Sequence, residues 1–231
     1  STLQAQEGVE LDILVVGNGW DPTDLPHGIR TLYLPENVGI PEGRNIGAAA
    51  VRGEFIFFYD DDAFLPRTDV VARLAAFLVA DPTLAIAQPR GMDPAGLLAP
   101  KRWTPRVGGR RPEEPGLVPV FWEGVHLSRR SAFEQVGGWP GFFWYGHEGI
   151  DLAFRLIDAG WQIRYCPEVV VNHPATTAKR HAVFYRMNAR NRVWVARRNL
   201  PAPLVPAYLG SWIAITLLRE RDPEGLRTWF A

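Results

Sequence analysis

The stretch from Glu54 to Phe64 constrains the fold most. An apolar run, Phe55-Ile56-Phe57-Phe58-Tyr59, ends in Asp60, Asp61 and Asp62. The run is short, aromatic and branched, with Gly53 before it and Pro66 after, which predicts a buried strand. A strand apolar on both faces suits the middle of a parallel sheet. Its acids then stand at a strand's carboxyl end, where open α/β sheets bind ligands. Adjacent carboxylates repel one another, and a hard divalent cation facing a phosphate accounts for them. A solvated acidic turn leading into the next helix accounts for them equally well, so the rest of the chain has to decide.

With 231 residues the chain can bury a substantial single core. Lys+Arg and Asp+Glu balance at 25 each, which argues against broad nucleic-acid binding. Cys166 is the single cysteine, so no internal disulfide and no multi-cysteine metal site can form. The first ten residues are polar and do not read as a secretory signal.

Residues 11–16 form a strand-like run that stops at Gly17-Asn18-Gly19, a tight turn at a strand's carboxyl end. Residues 30–34 are a second short strand candidate. Pro41 suits a first helical position and Gly53 a stop. The helix between them is rich in small residues and carries Arg44 in its first turn, an arrangement suited to a diphosphate. Without the acids that follow, a packing helix with a solvated Arg explains it as well. Neither a P-loop nor a dinucleotide fingerprint is present. Thr68 is a candidate cap for a helix through Ala80, and Leu84 to Ala87 a further strand. Residues 89–119 are rich in Pro, Gly and Arg and read as a long loop. Phe121 to Leu127 reads as a strand, and Ser128 as the cap of a short helix.

From Trp139 to Asp151, the aromatics Trp139, Phe142, Phe143, Trp144 and Tyr145 precede Glu148 and Asp151. Aromatic faces stack on sugar rings, so Trp139, Trp144 and Tyr145 are candidates for an acceptor wall and the acids for its base. Acids in a first helical turn also simply suit the dipole. A strand from Trp161 to Val171 then delivers His173 at its end, within reach of a metal.

At this point the residues carry a resemblance. The ordered set Val15-Val16-Gly17-Asn18-Gly19, Pro35-Glu36-Asn37-Val38-Gly39, Gly43-Arg44-Asn45-Ile46-Gly47, Asp60-Asp61-Asp62 and His147 to Arg155 resembles a family 2 glycosyltransferase of the GT-A fold. The resemblance runs from about Leu11 to Asn199. It implies an α/β chain with a Rossmann-like, mostly parallel sheet flanked by helices and a C-terminal helical tail. It also implies inverting transfer of a sugar from a nucleotide-diphosphate donor to an acceptor hydroxyl on a glycan, a lipid-linked carrier or a small molecule, with no nucleic-acid partner. Asp60 and Asp62 match the family's D-x-D, placed near the donor and a Mg or Mn ion, with Asp61 beside them on the donor side. Arg44 and Asn45 match nucleotide-side residues, and His173 matches a histidine that completes the metal or diphosphate site. The products implied are cell-envelope or secondary-metabolite glycans, and the compartment the bacterial cytoplasm. A nucleotidyltransferase of similar sheet and a non-catalytic sugar-binding module are the competing classes.

Three departures stand out. Where the family's first motif has an Asp on the nucleoside, this chain has Gly17, which leaves Asn18 as the substitute. Where its Glu-Asp motif has the general base, this chain has Gly149, so the expected base is Glu148, with Asp151 second. Ser1 to Gln6 resembles the end of a helix that follows an initial strand, so the chain is expected to lack that strand, leaving an unpaired edge and an incomplete nucleoside pocket. Residues 1–178 are therefore read as the transferase domain and residues 179–231 as a tail. The tail opens with Lys179, Arg180, Arg186, Arg190, Arg192, Arg197 and Arg198, followed by an uncharged run from Leu200 to Leu218. A basic helix followed by an apolar one fits an interfacial anchor on the inner face of the plasma membrane, and fits equally a helix packed on the domain or on a second subunit.

Overall fold

The computed structural model describes residues 1–97, 99–106, 109–175, 182–219 and 223–230. Lys179 and Arg180, at the head of the basic run, lie outside the described residues.

Strands β1 (Leu14–Asn18) and β2 (Arg30–Leu34) pair in parallel as a sheet of their own. Helix α1 (Ile40–Ala50) follows, with Pro41 in its first turn where a missing N–H costs nothing. Strand β3 (Phe55–Tyr59) is the apolar run that precedes the acids. Helix α2 (Val70–Ala80) lays Val70, Val71, Leu74 and Leu78 on the core, each worth about 1.5–3 kcal/mol in burial. Thr68 does not cap it: its hydroxyl meets Glu7, and Asp69 precedes the first turn without a side-chain cap.

Strand β4 (Leu84–Met92) runs on into the segment expected to be loop, because its buried face continues through Pro89. The remainder of that segment holds a short turn of helix at Lys101–Trp103, which buries Trp103, and the two-residue β5 (Gly116–Leu117). Strand β6 (Val125–Arg129) leads directly into α3 (Arg130–Gln135); Ser128 is buried within the strand and caps nothing. Helix α4 (Glu148–Asp158) and strand β7 (Gln162–Asn172) complete the α/β layers. Helices α5 (Ala182–Asn199), α6 (Val205–Arg219) and α7 (Pro223–Phe230) form the tail.

The larger sheet has the order β3-β6-β4-β7-β5. Its β3–β6, β6–β4 and β7–β5 ladders are antiparallel and its β4–β7 ladder is parallel. Strands β3, β4 and β7 thus share a direction, while the sheet as paired is mixed. The expectation that β3 lies mid-sheet is corrected: it is an edge strand, with Ile56 and Phe58 buried in a cluster with Ala48 and Phe133 and with Phe55, Phe57 and Tyr59 half-buried. Among the described residues, its outer edge carries no ladder, nor does the free edge of β1. A cavity of about 1810 Å³ lies there, lined by Leu14 and Val16 on one side and Phe55 and Phe57 on the other, and it continues to the acids.

Candidate active site

Topology gathers the site from distant parts of the sequence. The antiparallel β3–β6 register pairs Tyr59 with Val125, so the residues before β6 sit beside those after β3. The Asp60 N–H donates to the Gly124 carbonyl at 3.0 Å. Phe64 and Asn172 then exchange a pair of backbone hydrogen bonds, each 2.9 Å, which sets the acidic turn against the end of β7. His173, the next residue, reaches both acids. Its Nε2 lies 3.0 Å from Asp62 Oδ1 and 3.6 Å from Asp60 Oδ2. The contact with Asp60, then the Pro174 carbonyl and the charge of Asp62, push the imidazole's pKa above its ordinary value, against the opposing effect of burial. Nδ1 faces the Pro174 carbonyl at 3.0 Å, and Trp103 and Trp122 flank the ring edge-on.

One ligand atom from each of Asp60, Asp62 and His173 falls within 4.8 Å of the others. Two carboxylate oxygens and an imidazole nitrogen form a donor set suited to a divalent ion. The bond from Nδ1 to a carbonyl leaves Nε2 as the ligating nitrogen, a common second-shell arrangement.

Arg44 borders this cluster. Its Nη2 donates to Asp60 Oδ1 at 2.8 Å and its guanidinium lies 5.2 Å from the centre of the Trp139 ring. Its buried Nη1 has no hydrogen-bond partner among the described residues.

Across the cavity, α4 begins at Glu148 after His147, which takes a left-handed backbone conformation. Glu148 is 2% exposed, and its Oε2 likewise has no hydrogen-bond partner among the described residues. Beside it lies a carboxylate that the sequence reading missed. Glu123 Oε1 accepts the Gly149 N–H at 2.6 Å, which places its carboxyl close enough to that of Glu148 for the two to interact. Burial, then the charge of Glu148, pushes Glu123 up to about 8. Burial raises Glu148 as well, while Arg44 opposes the rise at both. His147 moves the other way, to about 3, because it is buried beside Arg192. The one sequence signal for Glu123 is an acid between Trp122 and Gly124 just before an apolar strand; only the antiparallel pairing turns it toward the site.

Several expected site residues are engaged elsewhere. Asp151 has no exposed surface and accepts hydrogen bonds from Arg155 Nε (2.7 Å), Arg198 Nε (3.0 Å) and Asn199 Nδ2 (2.9 Å). It braces α4 against α5 and is absent from the cavity lining, which removes it as the second candidate base. The Asn45 side chain exchanges two hydrogen bonds with the Trp139 backbone, both 2.9 Å, so it pins the aromatic segment and does not face the donor side. Trp139 is 2% exposed and packs edge-on to Phe58 and His126, so it belongs to the core and not to an acceptor wall. Trp144 is partly exposed but packs over Gly39, outside the cavity. Tyr145 does line the cavity, as do Asn18 and Asp61. The Asn18 amide spends both ends on the chain, donating to the Gly39 carbonyl and accepting the Val38 N–H, each at 2.9 Å.

The two glycines that depart from the family pattern have steric causes. A Cβ at Gly17 would lie 2.2 Å from the Trp20 carbonyl oxygen, and one at Gly149 would lie 2.3 Å from Glu123 Cγ. The tail's arginines also have internal work. Arg190 donates to the Phe143 carbonyl at 2.7 Å and covers Trp194, Arg192 meets His147 and Trp212, and Arg198 holds Asp151. These three brace the domain and are not a free basic face for an anionic leaflet. No helix among the described residues is long and apolar enough to cross a membrane.

The mixed sheet flanked by helices has the GT-A glycosyltransferase fold, as its solved neighbours show. Across 99% of this chain and 72% of its own, S. aureus TarS superimposes with a TM-score of 0.67 at 13% identity. The mannosyltransferase PcManGT from Pyrobaculum calidifontis, solved in complex with GDP-Man and Mn2+, gives 0.60 at 18% identity over 99% of this chain and 67% of its own. In sequence, the chain is 31% identical over 204 residues to a pre-mycofactocin glycosyltransferase of Mycobacterium tuberculosis, matching 84% of this chain. It spans 38% of that relative's length. Residues 21–137, slightly more than half of the chain, match the model of Glycosyl transferase family 2, and the chain belongs to that family.

Proposed function

We propose that the chain transfers a sugar from a nucleotide-diphosphate donor to an acceptor hydroxyl with inversion at the anomeric carbon. One observation carries this reading: Asp60 and His173, grouped with Asp62 in one cluster, and the buried Glu148 line a single cavity, as does Arg44, which contacts Asp60. That arrangement supplies a cation site and a proton acceptor on separate elements, as a single in-line displacement requires.

In this reading Asp60, Asp62 and His173 hold a divalent ion, and their mixed oxygen and nitrogen donors suit Mn2+ better than Mg2+. When bound, the ion neutralises charge on the leaving diphosphate. Arg44, whose Nη1 has no hydrogen-bond partner among the described residues, completes that clamp with a planar donor. Asp61 and Asn18 border the donor side, and Tyr145 borders the acceptor side. Glu148 accepts the proton of the acceptor hydroxyl, because it is buried, lines the cavity and has an oxygen without a hydrogen-bond partner among the described residues. The Mn2+ and GDP-Man named with PcManGT support the donor class without naming this chain's sugar.

The direct assay incubates the chain with UDP-, GDP- and dTDP-sugars, with and without Mn2+, and follows nucleoside diphosphate release. Metal-dependent release from one donor is the expected result. No release from any donor, or turnover of a nucleoside triphosphate with a sugar phosphate, contradicts the reading.

A further inference from the structure

Glu123 and Gly149 fit one another as lock and space. A side chain at position 149 would begin 2.3 Å from Glu123 Cγ and 2.4 Å from its Oε1, so that volume belongs to Glu123. The Gly149 N–H, in the first turn of α4, anchors Oε1 at 2.6 Å. We propose that Glu123 is a positioning residue for Glu148: entering from the loop before β6, it occupies the place of a side chain at 149 and holds the Glu148 carboxyl toward the cavity. This rests on the transferase reading above, in which Glu148 is the base.

The chemistry follows from the surroundings. The groups facing the pair are Arg44 from α1, Asp60 from the end of β3, the neutral buried His126 from β6, and Tyr145 ahead of α4. Two carboxyls packed together away from water do not both ionise. Burial raises both carboxyls, and in the proposal the shared proton rests on Glu123, whose contact favours the ionised form of Glu148 against the effect of burial. During transfer the acceptor oxygen bonds to the anomeric carbon and its proton passes to Glu148. The bond from that carbon to the diphosphate oxygen breaks, and its electron pair leaves with the diphosphate. Glu123 takes no part in the proton transfer; its role in the proposal is to orient Glu148 and to favour its ionised form.

Glu123→Ala and Glu123→Gln, in the full chain with Mn2+ and the donor it turns over, test this. Glu123→Ala should lower kcat by about 10- to 100-fold, as loss of an orienting partner does, with donor KM little changed. The acidic limb of its kcat profile should move to higher pH, since the hydrogen bond that favours ionised Glu148 is gone. Glu123→Gln keeps an N–H donor and should retain most of kcat and the wild-type limb. A Glu123→Ala enzyme with wild-type kcat overturns the proposal. So does an equal loss in both variants with an unmoved limb, which assigns Glu123 to structure alone. A second readout needs no activity. Gly149→Asp should lower Tm in the wild-type background and much less in the Glu123→Ala background, where the space is vacant. Equal losses in both backgrounds overturn the packing on which the proposal stands. A wild-type chain that turns over no nucleotide sugar while this Tm coupling holds contradicts the transferase reading and the positioning role, and leaves the packing of Glu123 on Gly149 established.

Discussion

Arg198 places its Nε 3.0 Å from Oδ1 of Asp151, a carboxylate with no surface open to solvent. Arg155 and Asn199 close on the same group, so one acid ties α4 to α5 and through them the tail to the sheet. Removing one partner of a buried ion pair costs about 3–5 kcal/mol, and the partial exposure of Arg198 argues for the lower end. Asp151→Ala should therefore lower unfolding free energy by about 3 kcal/mol in urea titrations. A Tm and midpoint equal to wild type would contradict the bracing role.

The cation cluster makes a separate demand. Asp62→Ala and His173→Ala each remove one of three donors grouped within 4.8 Å. Mn2+ affinity, followed by electron paramagnetic resonance, should fall by more than the roughly 10- to 100-fold seen when only an outer partner is lost. Both variants should stay folded, because Asp62 is half exposed and His173 lines the cavity. Unchanged Mn2+ binding would move the metal elsewhere.

Arg44 is worth testing by a change that keeps charge. Lysine can neutralise Asp60 but offers no planar fork and no flat face for Trp139. Arg44→Lys should raise donor KM about tenfold, equivalent to about 1.4 kcal/mol, with fold stability little altered. A donor KM equal to wild type would show that Arg44 acts on Asp60 and not on the donor.

Much of this was legible in the sequence, and the losses have definite causes. The strand at Phe55–Tyr59, the acids after it and His173 past the end of β7 all follow from local pattern and were found. What pattern does not carry is pairing direction. The aromatic run is apolar on both faces, yet it lies at a sheet edge because β6 returns antiparallel beside it. The same reversal brings Glu123 to the site, and no spacing along the chain signals it. Asn45 and Asp151 matched motif positions and Trp139 stood in the aromatic run, but their side chains satisfy backbone groups, arginines and core rings respectively. A motif match fixes a residue's place on an element; burial and partners decide what that place is used for.

Cys166 offers a check on the core independent of function. It is fully buried in β7, and burial pushes its thiol up to about 12. The native protein should be inert to iodoacetamide at neutral pH and become reactive only on unfolding. Rapid labelling of the folded chain would contradict the packing of β7 on α2.

The most direct measurement separates donor binding from chemistry in Glu148→Gln. Calorimetry with Mn2+ and the nucleotide sugar should give wild-type affinity, because Asp60, Asp62, His173 and Arg44 are untouched. Turnover of that donor should fall by about 10²- to 10⁴-fold, the usual contribution of a positioned base. Undiminished turnover by Glu148→Gln, with donor binding intact, would contradict the assignment of the base and with it the division of the cavity into a cation side and a proton-accepting side.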